Sequence, residues 1–142
     1  MAPCATTVFI VDDDPAICAA LARFFRSAGL TAQSFLSAQE FLSLAPDLGP
    51  GCLILDHHLP DLSGLEVQAE LARAGIGLPI IFHTAHGTGS LRAKALQAGA
   101  VGFLDKPAQD QALLTLVCQA LEKCREARPA AGFGPLDQTV LD

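Results

Sequence analysis

Five short runs typical of β-strands, four of them mainly apolar, are separated by segments with helical periodicity, and this pattern constrains the fold of this chain more than any other feature. The runs cover residues 7–11, 31–35, 52–55, 80–83 and 101–104. Short apolar runs bounded by turn residues are typical of buried parallel strands. Strands that alternate with helices predict an α/β fold, with a parallel sheet covered on both faces. Right-handed crossovers favour the doubly wound, flavodoxin-like strand order 2-1-3-4-5.

The segments between the apolar runs carry signals for helix ends. Asp14 stands before Pro15, which predicts an N-cap followed by the first helical position, and Gly29 is placed to end this helix. Ser37 and Glu40 have the spacing of a capping box. A short second helix is therefore predicted to start at Ser37.

Later helices are predicted over about 65–74 and 91–98, with a last one that ends near residue 125. Residues 1–125 are therefore predicted to form one domain. Residues 126–142 are rich in proline and glycine and show no clear period, so they are predicted to be a linker or C-terminal tail.

Composition limits what this chain can bind. Its 142 residues are 51% hydrophobic and 17% charged, which predicts one compact domain. A net charge of -6 makes direct binding to nucleic acid or to an anionic membrane unfavourable. No segment has the ~20 apolar residues of a membrane span. The 5 cysteines form no CxxC pair, so we expect reduced thiols and a cytoplasmic location.

Polar side chains follow four of the predicted strands. Asp12 and Asp13 follow the first, Asp56 the third, Thr84 the fourth and Lys106 the fifth. The predicted strand order places the first and third strands side by side, where ligands bind in open α/β sheets. Clustered carboxylates with room for water suit Mg²⁺. Asp56 is then a candidate nucleophile towards phosphorus, with Mg²⁺ and Lys106 offsetting charge and Thr84 donating a hydrogen bond.

Four motifs together resemble a known family. VFIVDDDP, LILDHHLPDLSG, IIFHTAHG and GAVGFLDKP stand in the order and spacing of the receiver domain of bacterial two-component response regulators, over about residues 7–123. Within this family the chain most resembles regulators of the nitrogen-fixation type, whose receiver usually precedes a helix-turn-helix domain. The resemblance implies a sensor histidine kinase or a histidine phosphotransfer protein as partner, and a possible phosphorylation-dependent homodimer.

The resemblance also implies roles for individual residues around the first and third strands. Asp56 is the implied phosphoacceptor and a ligand of Mg²⁺. Asp13 is implied as a direct Mg²⁺ ligand and Asp12 as one that acts through water. The backbone carbonyl of His58 is a further implied ligand.

Around the fourth and fifth strands, the resemblance implies a phosphorylation switch. Thr84 and Lys106 are the implied sensors of the phosphoryl group, and Phe103 is the implied aromatic switch residue. A cis peptide bond is implied before Pro107. The surface expected to change is formed by the fourth helix, the fifth strand and the fifth helix.

Histidines are unusually frequent around the predicted site. His57 and His58 follow Asp56 where the subfamily more often has an apolar and then a basic residue, and His83 and His86 lie near the same edge. Their spacing does not match a zinc-binding pattern on a helix or knuckle. A second hypothesis is that His58 and His86 tune autodephosphorylation through imidazole titration.

Other functions remain as alternatives. An aspartate-nucleophile phosphohydrolase usually has a second acid two residues after the nucleophile, where this chain has His58. A flavin-binding domain is disfavoured because acids after the first strand repel phosphate. A phosphorylation-independent interaction module is also possible. No enzyme activity is expected beyond self-phosphorylation and slow autodephosphorylation. A stand-alone receiver is slightly favoured over the amino-terminal part of a longer regulator.

Overall fold

A five-stranded sheet forms the centre of the fold. The computed structural model describes residues 7–85 and 87–127, the last five of these by their backbone alone. The strands are β1 (Thr7–Val11), β2 (Thr31–Phe35), β3 (Cys52–Leu55), β4 (Ile80–Thr84) and β5 (Gly102–Asp105). All neighbouring strands are parallel, in the order β2-β1-β3-β4-β5. The predicted fold class and strand order are therefore confirmed.

Five α-helices within the described residues connect and cover the strands. They are α1 (Pro15–Ser27), α2 (Ala38–Leu44), α3 (Gly64–Arg73), α4 (Gly89–Gln97) and α5 (Asp110–Ala127). A short 3₁₀ helix, Ala45–Asp47, follows α2. The Asp14 side chain caps α1 as predicted, since Asp14 Oδ1 accepts a hydrogen bond from the Ala16 N–H at 2.9 Å.

Element ends differ from the sequence prediction where side chains or strand pairing decide them. Helix α4 begins two residues earlier than predicted because Thr88 is its N-cap, accepting a hydrogen bond from the Leu91 N–H at 3.1 Å. Strand β5 extends to Asp105, which pairs with Thr84 of β4. Helix α5 runs to Ala127, past the predicted end near residue 125, because no breaker precedes Pro129. The rest of the predicted tail, 128–142, lies outside the described residues.

The capping box predicted at α2 is only half formed. Ser37 Oγ accepts a hydrogen bond from the Glu40 N–H at 3.2 Å, but Glu40 Oε1 accepts from the Leu36 N–H rather than from that of Ser37. A complete capping box stands instead at the start of α3. There Ser63 Oγ accepts from the Glu66 N–H at 3.1 Å, and Glu66 Oε1 accepts from the Ser63 N–H at 2.8 Å.

The sheet buries apolar side chains on both faces because successive strand residues point to opposite sides. On β1, Val8 and Ile10 pack into the core under α1 and α5, whereas Phe9 and Val11 pack into the core under α2, α3 and α4. Both cores keep large apolar areas from water, which drives the folding of the domain. Within residues 7–85 and 87–127, no helix has the length and apolar character to cross a membrane.

Candidate functional site

The carboxyl ends of β1 and β3 place two acids side by side. Val11 pairs with Leu55, so Asp12 and Asp56 leave the sheet at the same level. The Asp56 N–H donates to the Val11 carbonyl at 3.0 Å, which extends the ladder to the acid itself. Carboxylate oxygens of Asp12, Asp13 and Asp56 lie within 4.8 Å of one another. The structure thus brings together the three acids that the strand order predicted to meet.

Burial differs among these acids. Asp12 is 2% exposed and Asp56 is 4% exposed, whereas Asp13 is exposed to solvent. The Asp14 N–H donates to Asp12 Oδ1 at 3.0 Å, and the His58 N–H donates to Asp56 Oδ1 at 3.3 Å. Two buried carboxylates so close together repel each other unless a cation lies between them.

Lys106 supplies one such cation from the end of β5. Its Nζ donates to Asp12 Oδ2 at 2.7 Å and lies 3.2 Å from Asp56 Oδ2. Burial disfavours the charged amine, but the hydrogen bond and charge of Asp12, with those of Asp56, outweigh it and raise the pKa of Lys106 above 10.5. Lys106 therefore stays charged at neutral pH. The Lys106–Pro107 peptide bond is cis, the isomer that the resemblance implies.

The donor set fits a hard divalent cation. Three carboxylates against one ammonium leave two formal negative charges, since −3 and +1 sum to −2. All the side-chain donors are oxygens, which Mg²⁺ prefers over nitrogen or sulfur ligands. Asp12, Asp13 and Asp56 are the residues that could hold the ion. His58 is exposed, and its backbone forms an isolated bridge with Ser63 that folds the loop after β3 back on itself.

Thr84, at the end of β4, has a buried hydroxyl with an unmet hydrogen-bonding capacity. Thr84 is completely buried, and its Oγ1 has no hydrogen-bond partner among the described residues. Its backbone carbonyl accepts from the Lys106 N–H at 2.8 Å, which ties β4 to the residue that contacts both acids. A buried hydroxyl without a partner costs about 1–3 kcal/mol, so this site favours a ligand that can accept a hydrogen bond from it.

Phe103 of β5 is enclosed by two side chains. Its ring, 5% exposed, stacks on Phe82 with centroids 5.8 Å apart and an interplanar angle of 19°. The Arg92 guanidinium of α4 lies 5.8 Å from the ring centroid, and Arg92 Nη1 donates to the Phe103 carbonyl at 3.2 Å. No local pattern marked Arg92 beforehand, because the contact joins a helix to a neighbouring strand.

Two glycines near the site let the backbone pass close to aromatic rings. A Cβ on Gly87 would lie 2.7 Å from Phe103 Cε1, so the loop after β4 passes directly over the ring. A Cβ on Gly64 would lie 2.8 Å from Phe82 Cε2. The Gly64 N–H also donates to the His57 carbonyl at 2.9 Å. Both positions need a residue without a side chain because real Cβ atoms do not approach so closely.

The histidines do not assemble a metal centre in the described part of the chain, where the aspartate cluster is the one metal-capable group. The His57 and His58 rings lie 5.0 Å apart, edge to face, and burial followed by the charge of His58 lowers the pKa of His57. His83 is 6% exposed within β4, and neither of its ring nitrogens has a partner among the described residues. His86, part of the dephosphorylation hypothesis, lies outside the described residues.

Comparison with known proteins agrees with the motifs and the geometry. Residues 8–118 match the family model of the response regulator receiver domain. Nodulation protein W of Bradyrhizobium diazoefficiens is 48% identical over 124 residues, 87% of this chain and 54% of the relative. The transcriptional regulatory protein FixJ of Rhizobium meliloti is 37% identical over 125 residues, 88% of this chain and 59% of FixJ. The chain thus spans little more than half the length of these relatives.

Solved structures show the same fold. The response regulator StyR aligns with a TM-score of 0.81 at 42% identity, over 86% of this chain and 62% of StyR. The structure named FixJ-N aligns with a TM-score of 0.78 at 35% identity, over 86% of this chain and 96% of that chain. The chain therefore belongs to the response regulator receiver domain family, and its relatives include regulators of the nitrogen-fixation type, as its motifs predicted.

Proposed function

We propose that this receiver domain accepts a phosphoryl group on Asp56 from a phosphohistidine donor. The observation that carries the proposal is the position of Lys106 Nζ between Asp12 and Asp56, next to a third acid. Such a group of charges combines a carboxylate nucleophile with the positive charge that phosphoryl transfer requires.

The reaction forms one bond and breaks one. A carboxylate oxygen of Asp56 attacks phosphorus, the P–O bond forms as the P–N bond of the phosphohistidine breaks, and the electron pair returns to the donor imidazole. Lys106 Nζ, at 3.2 Å from Asp56 Oδ2, is placed to offset negative charge on the transferred oxygens. Mg²⁺ held by Asp12, Asp13, Asp56 and the His58 carbonyl supplies further positive charge when bound.

The switch that follows involves β4, β5 and α4. The Thr84 hydroxyl, unpaired among the described residues, donates to an oxygen of the transferred group. Phe103 responds to this rearrangement, because it packs on Phe82 two residues before Thr84 and contacts Arg92 of α4. The surface of α4, β5 and α5 then shifts between two arrangements.

The proposed reaction implies which proteins bind this domain, because a phosphohistidine must donate the phosphoryl group. We include a sensor histidine kinase or a histidine phosphotransfer protein as donor, and a phosphorylation-dependent homodimer as one possible output.

A cytoplasmic location is part of the proposal, and the free thiols of Cys18 and Cys118 agree with a reducing compartment. Slow autodephosphorylation is the one turnover we propose, since exposed His58 stands where a phosphohydrolase usually carries its second acid.

The test is intact-protein mass after incubation with Mg²⁺ and a small acyl phosphate. We expect one added phosphoryl group on the wild type, none on Asp56→Asn, and one on Asp47→Asn, a matched control at an exposed acid away from the cluster. An equal adduct on Asp56→Asn would refute the assignment of Asp56. Steady release of product from a phosphomonoester would favour the phosphohydrolase instead.

A further inference from the structure

The loop between β3 and α3 reaches across to a helix that is distant in sequence. Asp61 lies in this loop, five residues after Asp56. Asp61 Oδ2 accepts a hydrogen bond from the Gln39 N–H at 2.7 Å, and Asp61 Oδ1 accepts one from the Ala38 N–H at 3.1 Å. The loop that begins at the candidate phosphoacceptor is thus bound to the first turn of α2.

These bonds complete the N-terminus of α2. The first N–H groups of a helix have no partner within the helix. Asp61 satisfies those of Ala38 and Gln39, while Ser37 Oγ satisfies that of Glu40 at 3.2 Å. A carboxylate is favoured there by the helix dipole and by charge-assisted hydrogen bonding. Slight burial raises the pKa of Asp61, but the Gln39 and Ala38 N–H groups outweigh it and hold that pKa below its ordinary value.

The other end of the same loop is fixed close to the site. The His58 N–H donates to Asp56 Oδ1 at 3.3 Å, and His58 forms a backbone bridge with Ser63. Asp61 lies inside this bridged segment, and its Oδ1 also accepts from the Leu62 N–H at 3.1 Å. The segment is therefore short and closed, so displacing Asp61 moves the backbone that carries His58.

We propose that Asp61 is a positioning residue for phosphoryl acceptance, which binds the loop after Asp56 to α2 and so fixes the His58 carbonyl for Mg²⁺. This inference rests on the proposed function, because it assigns the His58 carbonyl to the metal. A group that orients a metal ligand from outside the ligand set typically changes metal affinity by 10–100-fold when replaced. Asp61→Asn keeps the size of the side chain but loses the charge and one acceptor oxygen. It should therefore weaken Mg²⁺ binding about tenfold.

Ser37→Ala is the matched control. It removes a cap from the same end of α2 and leaves the bonds of Asp61 in place. Wild type, Asp61→Asn, Asp61→Ala and Ser37→Ala are compared by calorimetric titration with Mg²⁺, by amide hydrogen exchange of residues 57–62, and by the initial rate of acyl phosphate modification. We expect both Asp61 variants to bind Mg²⁺ more weakly, exchange faster in 57–62 and react more slowly. Ser37→Ala should change only the exchange of α2 and the thermal stability.

The outcomes separate this inference from the proposed function. If the wild type accepts a phosphoryl group and both Asp61 variants match Ser37→Ala in Mg²⁺ affinity and loop exchange, Asp61 only caps α2 and the inference is overturned. If the wild type binds Mg²⁺ but accepts no phosphoryl group, the proposed function fails, and the Mg²⁺ titration and loop exchange still decide the role of Asp61. Because Asp61 is exposed, its variants should fold.

Discussion

Replacing His83 by leucine should make the domain more stable. His83 is 6% exposed in β4, and neither Nδ1 nor Nε2 has a hydrogen-bond partner among the described residues. A buried polar group without a partner costs about 1–3 kcal/mol. Leucine fills a similar volume without polar atoms, and imperfect shape offsets part of the gain. We therefore expect the free energy of unfolding to rise by about 1–2 kcal/mol near neutral pH.

The same histidine should make stability depend on pH. Burial, followed by the charge of Lys106, lowers the pKa of His83 below 6.5, while Asp12 and Asp56 act in the opposite direction. The unfolded chain then binds a proton more readily than the folded one, so stability rises with pH below 6.5 and levels off above it. Acidification through this range should destabilise the wild type. His57, whose pKa is also lowered, adds a slope of the same sign.

The assay is urea unfolding followed by circular dichroism between about pH 5.5 and pH 8. His83→Leu should be more stable at every pH and show a smaller pH slope than wild type. His83→Asn is the control, because asparagine cannot titrate but stays polar. The free energy of unfolding of this variant should depend less on pH than that of the wild type, and near neutral pH it should not exceed the wild-type value. A His83→Leu variant that is less stable than wild type near neutral pH, or that keeps the full slope, would refute the reasoning.

Three further predictions concern the site and the switch. Lys106→Met removes the cation beside Asp12 and Asp56 and should slow modification by acyl phosphate by about 100-fold. The rate is measured by intact mass, and an unchanged rate would contradict the role of Lys106 in stabilising the transferred group. Thr84→Ser keeps the hydroxyl and Thr84→Val removes it, so only the second should abolish the phosphorylation-dependent change in amide exchange of α4 and β5. Gly87→Ala forces a Cβ towards Phe103 and should lower the free energy of unfolding by about 1–3 kcal/mol in the same urea assay. Gly77→Ala is the control and should change this free energy little, because no atom beyond its chain neighbours lies within 4 Å of the added Cβ.

Local sequence patterns specify the alternation of strands and helices, so the fold could be predicted from the sequence alone. Apolar runs, the Asp14 cap and Gly29 act within a few residues, and each element forms close to where its pattern predicts it. Parallel strands all end at the same edge, so the residues after them had to meet. Asp12, Asp56 and Lys106 therefore come together at this edge, as the structure shows.

A signal of the same local kind stands at the start of α3. Ser63 and Glu66 have the spacing of a capping box, and the structure forms it completely. At α2 the spacing of Ser37 and Glu40 is equally good, yet Glu40 accepts from Leu36 instead. The spacing of a capping box is therefore a sound guide to where a helix begins. Which backbone N–H each side chain binds depends on how the chain enters the helix.

Contacts between distant segments could only come from the tertiary structure. The bonds of Asp61 to the start of α2 cross more than twenty residues of sequence, and Arg92 meets Phe103 across a helix and a strand. His83 is buried because helices cover both faces of β4, every residue of which is buried, and the packing around it leaves its ring nitrogens without a partner among the described residues. Local sequence patterns define the helices and strands and the edge of the sheet where the site forms. Three-dimensional packing decided which side chains support that site, because it alone brings them within hydrogen-bonding distance.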